Sequence, residues 1–564
     1  MNYPTFLKEV DRLVCACDAD DLRKFVHEMA RTVPESDRQS YLSTLSRFCS
    51  GSVEKTTKTA ETEVSLADQI DRLLKAMEEI QEGEREIECE YNEEWDDWHD
   101  EERDEYNFSD PDHVLDDIAA GVRALHQCVD QEEYAKGAEL AKALSELKVH
   151  VSGDFEDDEM NITGLVMYDL LNIDQKKAIK EALYLGFMGT REPERAEATL
   201  EMMDYFEDYS VSLEELLQTG PEEIDLDSML PSWIEALAKR PASRTDRLLL
   251  EAQEMLQDQE AALENASRYA QSHPVLYSHI LHGKGNVAPE EMLQIGLRAM
   301  KEVPVNLLTR CTISLLTAKY ALESHQRRTA EECWLEAFRT LPTVENYLRL
   351  RLQSQHWEEY ATQARDIYTA YYQSRNTWEK TLPALMFFDE RFEEMIEGFM
   401  KVKGGIGWSS TFMKEGIALL LMLMDSGKTT RQGMSVMLSK AISASSFHSD
   451  SYREGTDMEP GMSNVVLFQE CFQKWKNEVV LEESTCDLWL NKIDNWLALR
   501  VAAIMDANRR KTYGECAAFI AAYGEVLESR GNSGEKDRVM LRYKAEYSRR
   551  RAFLEELRGF GMKK

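Results

Sequence analysis

The sequence predicts an all-α protein built mainly as an irregular α-solenoid of stacked helix pairs. Glycine and proline are scarce, at 27 and 13 of 564 residues, which favours long helices over a many-turned β fold. Apolar residues recur at helical spacing along most of the chain. Degenerate copies of one helix-pair pattern between residues 261 and 350 indicate a repeat architecture.

The N-terminal part is predicted to form a helical module over 1–49. Four apolar residues there follow an i, i+3, i+4, i+7 stripe: Leu22, Phe25, Val26 and Met29. Small polar residues without periodicity predict a linker over 50–65. Helical spacing returns at Leu66, so 66–112 is interpreted as one helix followed by an acidic and aromatic loop.

That loop has the sequence "EYNEEWDDWHDEERDEYNF" over 90–108. Calcium loops need a turn glycine and a fixed carboxylate register that this stretch lacks. Catalytic carboxylates need a dry cleft, whereas so many acids imply water. We expect a solvated, mobile loop, with two alternatives left open. It could hold a metal ion, which its pattern favours least, or dock a basic partner through five apolar anchors: Trp95, Trp98, Tyr91, Tyr106 and Phe108.

The segment 113–400 is predicted as a solenoid that resembles tetratricopeptide (TPR) repeats. Small residues at Ala330 and Ala337 would let helices approach, and Trp334 and Phe338 would fill the groove between them. Looser copies of the pattern occupy 261–281 and 297–322. One short piece, Lys148–Asp157, alternates like a β-hairpin instead.

Glycine-containing breaks predict a connecting region over 401–463, followed by a C-terminal helical lobe over 464–564 with a basic tail. The break "SGKTT" at 426–430 invites comparison with a phosphate-binding loop. The first glycine of that motif is replaced by Met422, and the preceding run has helical composition. An exposed loop between helices is therefore the favoured interpretation. The glycine cluster "GGIG" at 404–407 could hold an anion, and a hinge between lobes explains it as well.

The charge distribution restricts the choice of partners. The net charge is −38, and residues 77–117 contain 20 acidic side chains against two arginines. Such a chain repels nucleic acid and anionic membranes. The exception is the basic tail, where Arg549, Arg550 and Arg551 could contact phosphate. An ion-paired helix on the protein's own acidic surface is favoured there.

No pattern of catalytic, cofactor-binding or metal-ligating residues stands out. The ten cysteines form no Cys-x-x-Cys pair, and Cys15, Cys17, His27 and Cys49 lack paired zinc spacing. Reduced and mostly buried thiols are expected. The N-terminus lacks the arrangement of a secretion signal, and Ile417–Met424 is too short to cross a bilayer. We therefore expect a cytoplasmic protein without catalysis, metal or cofactor.

Four passages together resemble uncharacterised helical proteins of bacteria: Asp20–Leu45, His273–Leu281, Cys333–Arg351 and Tyr513–Arg558. Some of those relatives carry a SWIM-type zinc finger, Cys-x-Cys followed by Cys-x-His, ahead of the helical region. Here Cys15-Ala-Cys17 is present but no Cys-x-His follows, so the finger and its binding role are not expected. The resemblance implies a helical scaffold in a bacterial cytosol.

These observations predict a protein–protein interaction scaffold or adaptor. Its contact residues are expected on the concave face of 230–400: Tyr347, Trp357, Tyr360, Tyr371 and Tyr372. Two other functions stay open. The chain could be a regulatory component of a stress or phage-defence system, controlled by proteolysis between its lobes. It could also be an enzyme whose site has no recognisable motif.

Overall fold

The computed structural model describes residues 65–95, 102–221, 224–283, 287–375, 381–400, 416–429 and 431–563, together with Met29. The chain divides into two compact units, Met1–Asn265 and Ala266–Lys564. This division falls inside the segment 113–400 that the sequence predicts as one solenoid. The predicted module 1–49 and linker 50–65 lie outside the described residues, apart from Met29 and Ser65.

The described residues are mostly helical, with 26 α-helices and four strands. The strands all belong to the first unit: β1 (Ile87–Trp95), β2 (Glu102–Ser109), β3 (Val149–Gly153) and β4 (Glu159–Met160). The first unit has the helices α1 (Leu66–Gln81), α2 (Val114–Gln131), α3 (Tyr134–Glu146), α4 (Ile162–Met167), α5 (Gln175–Gly189), α6 (Arg195–Phe206), α7 (Leu213–Leu217), α8 (Leu226–Ala238) and α9 (Ala242–Leu256).

The helix α10 (Gln259–Arg268) contains the residue at which the chain is divided. The second unit then has α11 (Val275–His282), α12 (Pro289–Glu302), α13 (Thr309–Glu323), α14 (Arg327–Thr340), α15 (Val344–Gln353), α16 (Trp357–Arg375), α17 (Thr381–Phe388), α18 (Phe392–Met400), α19 (Ile417–Met424), α20 (Gln432–Ser445), α21 (Ser449–Arg453), α22 (Asn464–Glu478), α23 (Glu483–Asp506), α24 (Tyr513–Ser529), α25 (Glu535–Glu546) and α26 (Arg551–Gly559). No helix in the described part of the chain is long and apolar enough to cross a membrane.

The small sheet corrects the all-α prediction. Its strand order is β2-β1-β3-β4, with β1 antiparallel to β2, parallel to β3, and β3 antiparallel to β4. The hairpin predicted from the alternation in Lys148–Asp157 is confirmed, since Val149 pairs with Met160. Its second strand begins just beyond the predicted segment.

The predicted helix at Leu66 is also confirmed. Ser65 caps α1 by accepting a hydrogen bond from the backbone N–H of Asp68 at 3.1 Å, which satisfies one of the free donors of the first turn. The helix buries one stripe of side chains: Ile70, Leu73, Met77 and Ile80. It ends at Gln81, so Ile87, which continues the apolar pattern, belongs to β1 instead.

The core of the first unit joins these helices to the sheet. Helices α2, α3, α5 and α6 pack on one another, and α1 packs on α2 and α3. Their facing side chains are fully buried: Ile118, Leu140, Leu183 and Phe187. The strand β3 contacts α1, and Ile87 and Val149 have no exposed surface. The sheet is therefore anchored at this end by apolar contacts with helices.

The core of the second unit includes part of the predicted connecting region 401–463. Seven of the eight residues of α19 are buried, and α20 packs closely on α24. The apolar run Ile417–Met424 is thus an internal helix rather than part of a connector, because its side chains find a partner surface on every side. The predicted hinge at 404–407 lies outside the described residues.

Candidate interaction surface

The described parts of the acidic stretch, 90–95 and 102–108, belong to the antiparallel strands β1 and β2, which we call the hairpin, and this corrects their interpretation as a mobile loop. In the register, Cys89 lies opposite Phe108, and Tyr91 lies opposite Tyr106. Alternation along each strand puts these four side chains on one face and Glu88 and Glu90 on the other. The signal was present as a period of two in "IECEY" and "EYNFS", but the density of charge obscured it.

Five aromatic rings meet on the first of these faces, and we call them the aromatic surface: Tyr91, Tyr106, Phe108, Phe155 and Tyr168. The ring centre of Tyr106 lies 5.5 Å from that of Tyr91 and 5.4 Å from that of Phe155. Tyr168 lies 5.6 Å from Phe108 and 5.4 Å from Phe155. Tilted and edge-on contacts at these distances are favourable for aromatic pairs.

None of these five rings is buried. Four are partly exposed, and Tyr168 is 40% exposed. Its chain neighbour Met167 is 77% exposed, the second most exposed large apolar side chain among the described residues. A contiguous apolar patch at the surface is characteristic of an interaction site, whereas single exposed apolar residues are ordinary.

Acidic side chains border the aromatic surface. Phe155 lies within "DFEDD" (154–158), where all four neighbours are exposed carboxylates. The carboxylate of Asp154 accepts a hydrogen bond from the backbone N–H of Tyr91 at 3.3 Å, which ties this segment to β1. On the opposite face of the sheet Glu88 and Glu90 are exposed. The surface therefore combines aromatic rings with a strongly negative border.

The predicted anchors of this stretch are placed only in part. Trp95 is the last residue of β1, but its side chain lies outside the described residues, as does the whole of Trp98. Tyr91, Tyr106 and Phe108, the other aromatic residues of the stretch, all join the aromatic surface. Sequence reasoning missed Phe155 and Tyr168, which the fold brings from a separate turn and from the end of α4.

The aromatic residues predicted for a concave contact face lie in or against the core of the second unit. Tyr347, Tyr360 and Tyr372 are 0%, 3% and 6% exposed, and Trp357 and Tyr371 are partly buried against the same core. The predicted contact face is corrected for Tyr347, Tyr360 and Tyr372, because neighbouring helices cover these rings and leave no surface for a partner. Trp357 and Tyr371 keep part of their surface exposed.

Tyr347 shows what these rings do instead. Its hydroxyl donates to Asp389 at 3.1 Å, and the hydroxyl of Tyr368 donates to the same carboxylate at 2.8 Å. The guanidinium of Arg365 also binds this carboxylate, at 2.7 Å. Burial, and then the negative charge of Asp389, raise the pKa of Tyr347 well above its ordinary value. The network is an internal one that satisfies a buried carboxylate.

One arginine of the predicted basic tail is held by hydrogen bonds, and two are exposed. Arg550 donates to the backbone carbonyl of Met505 at 2.8 Å and to the side chain of Asn508 at 3.0 Å, at the C-terminal end of α23. A cation is favourable at this negative end of a helix dipole. Arg549 and Arg551 are exposed. Arg550 therefore has a structural role, whereas Arg549 and Arg551 are surface charges.

The "SGKTT" loop borders a cavity of about 210 Å³ next to α20 and α22. The ammonium of Lys476 donates to the carbonyls of Met422 and Asp425, at 2.8 and 2.7 Å, and so caps the end of α19. Burial lowers the pKa of Lys476. The run before the loop is a helix rather than the strand of a phosphate-binding loop, in agreement with an exposed loop between helices.

The described cysteines form no disulfide and are buried, as expected for structural thiols: Cys89, Cys128, Cys311, Cys333, Cys471, Cys486 and Cys516. Burial, followed by the nearby Glu133 carboxylate, raises the pKa of Cys128 to about 11. A thiol with so high a pKa is a weak nucleophile at neutral pH. Within the described ranges, no group of three or more His, Cys, Asp or Glu side chains is arranged to hold a metal ion.

No protein-family model matches the sequence, and no similar protein was found among curated proteins or solved structures. The resemblance to bacterial helical proteins therefore stays a prediction.

Proposed function

We propose that this protein is a non-catalytic interaction scaffold, and that its aromatic surface binds a basic segment of a partner protein. The carrying observation is that five rings contact one another at the surface without any of them being buried. The exposed apolar surface of such a cluster is removed from water only when another molecule covers it. This removal is favourable and therefore promotes binding.

The chemistry of the surface indicates the occupant. Aromatic faces attract apolar groups and also the cations of lysine and arginine. The exposed carboxylates of Asp154, Glu156 and Asp158 repel an acidic occupant and attract a basic one. A basic protein segment with apolar side chains satisfies both parts of the surface, whereas nucleic acid would be repelled.

The second unit supports the finer proposal of a TPR-like scaffold. Successive helices α12, α13 and α14 pack on one another in chain order. The small residues Ala330 and Ala337 are fully buried, as are the bulky Trp334 and Phe338. This is the distribution expected of stacked helix pairs. We propose that this unit has a structural role and that the partner does not bind to it.

The proposal is tested by affinity capture with the full-length chain and two single variants. Tyr168→Ala removes the most exposed ring of the aromatic surface, and Tyr205→Ala removes a 51% exposed tyrosine on α6 outside it. We expect a partner that is retained by the wild type and by Tyr205→Ala. Its affinity for Tyr168→Ala should be at least about tenfold lower, as for truncation of a central aromatic contact.

Two further results decide the matter. The captured protein should be released by raising the ionic strength, because charge attraction is screened by salt. Equal retention by all three forms, or no retained partner at all, would overturn the proposal. Thermal unfolding of each variant shows whether a loss of binding reflects a loss of fold.

A further inference from the structure

We propose that the partner segment binds as an extended strand that adds to the edge of the sheet along β2, with its lysine or arginine side chains among the acidic groups there. This inference rests on the proposed function and specifies the partner's conformation and charge. It follows from the position of β2, the length of the hairpin, the location of the rings and the charges of the strand.

β2 lies at an edge of the sheet, where a further strand can pair with it. The strand order places β2 at one edge, where among the described strands it pairs with β1 alone. β2 is eight residues long, whereas the opposite edge strand β4 has two. Long edge strands offer a row of backbone donors and acceptors that another chain can pair with.

The hairpin extends beyond the part of the sheet in which β1 is paired with β3. β1 pairs with β2 from Glu88 to Trp95, but it pairs with β3 only from Ile87 to Cys89. Gly153 turns β3 away with a φ of +102°, and a Cβ there would lie 2.0 Å from the carbonyl oxygen of Cys89. The far half of the hairpin is a two-stranded ribbon.

Such a ribbon is only marginally stable in water by itself, and a third strand adds the contacts that it lacks. A strand bound along β2 would add a third strand at the part of the hairpin where β1 is no longer paired with β3. The gain from covering the ribbon is therefore largest at the part of the hairpin that carries Tyr91 and Tyr106.

The rings of the aromatic surface lie close to β2. Phe155 and Tyr168 both contact Tyr106 and Phe108, which are the two aromatic residues of β2. The aromatic surface therefore lies over the edge strand rather than over the middle of the sheet. Every second side chain of an added strand would face this surface, and its apolar groups would cover the rings.

The charge of β2 selects the partner. Edge strands are commonly protected from unwanted pairing by lysine or proline. β2 instead carries Glu102, Asp104 and Glu105 with a single Arg103, and it contains no proline. Two copies of this edge would repel each other, so the carboxylates disfavour self-association and favour a basic strand.

The experiment uses the full chain and fluorescein-labelled eight-residue peptides, with fluorescence anisotropy as the measure of binding. The probe alternates lysine and valine. We expect it to bind and to slow hydrogen–deuterium exchange of the amides of Glu102–Ser109. A glutamate–valine peptide should bind at least about tenfold more weakly, because its charges are repelled. The lysine–valine peptide N-methylated at every backbone amide should also bind at least about tenfold more weakly, because neither of its edges can donate hydrogen bonds to the ladder.

A pair of matched variants tests the charge. Glu90→Lys changes an exposed residue on the hairpin, and Glu201→Lys makes the same change on α6. We expect about fivefold weaker binding of the lysine–valine peptide to Glu90→Lys and no change for Glu201→Lys. Equal binding of the plain and N-methylated peptides would overturn strand addition, and so would unchanged exchange in β2.

The outcome is separable from that of the proposed function. If Tyr168→Ala specifically loses the partner, but hydrogen exchange of the β2 amides is not slowed by binding, the scaffold proposal is supported and strand addition is rejected. Protection of β2 that rises with the concentration of the chain alone would identify a second copy as the occupant, and that would also overturn the inference.

Discussion

Glu525 shows how one buried carboxylate holds together three helices of the second unit. It lies on α24, has no exposed surface, and accepts hydrogen bonds from the backbone N–H groups of Gly433 and Met434 at 3.1 and 2.9 Å. These belong to the first turn of α20, where N–H groups have no partner within the helix. The ammonium of Lys536 on α25 binds the same carboxylate at 2.7 Å.

Glu525→Gln should lower the free energy of unfolding by about 2–4 kcal/mol, measured by urea denaturation. The amide keeps the size of the side chain, but it removes the charge that compensates Lys536 and the helix N-terminus. The matched control is Glu483→Gln, which changes a carboxylate that pairs with Arg530 while 81% exposed. Its effect should stay within about 0.5 kcal/mol. Similar effects of the two changes would contradict this account.

At the scale of the elements, periodicity predicted some structures and charge concealed others. The helix at Leu66 and the strands around Lys148–Asp157 followed from apolar spacing. β1 and β2 were missed because acidic residues dominate this part of the chain, and the period of two is carried by only five residues: Ile87, Cys89, Tyr91, Tyr106 and Phe108. Whether a ring is buried, as Tyr347 is, depends on which element packs over it, and spacing along one helix cannot determine that.

The packing of α20 on α24 gives a prediction at this scale. A Cβ at Gly433 would lie 2.5 Å from the backbone nitrogen of Ala522, so Gly433→Ala must push the two helices apart. Overpacking of this kind costs about 1–3 kcal/mol, more than the helix propensity that alanine adds. Gly559→Ala is the control, since nothing lies within 4 Å of its Cβ position.

Thermal unfolding should show a clear loss for Gly433→Ala. The Gly559→Ala protein should be unchanged or slightly more stable. If Gly433→Ala were as stable as the wild type, the two helices would have to be able to separate without cost, and the close contact would not matter for stability.

For the whole molecule, two electrostatic effects oppose each other as the pH falls. A net charge of −38 repels itself in the compact state, and protonation of carboxylates relieves that repulsion. Specific carboxylates act in the other direction. Burial alone would raise the pKa of Asp204, but hydrogen bonds from Tyr209 and Arg240 bring it below its ordinary value. Hydrogen bonds from Tyr277 and Arg298 similarly outweigh burial and lower the pKa of Glu302.

A carboxyl group whose pKa is lowered by folding stabilises the protein above its ordinary pKa and loses that contribution as the pH falls through the folded value. The melting temperature should therefore rise between pH 7 and about pH 5, where repulsion weakens, and fall below about pH 4, where Asp204 and Glu302 become protonated.

At pH 7, raising the salt concentration from about 20 mM to about 500 mM should increase the melting temperature by roughly 2–4 °C, because screening reduces the repulsion. The same addition of salt should have a much smaller effect near pH 5. A melting temperature that falls with salt at pH 7 would show instead that attractive ion pairs outweigh the repulsion among the excess carboxylates.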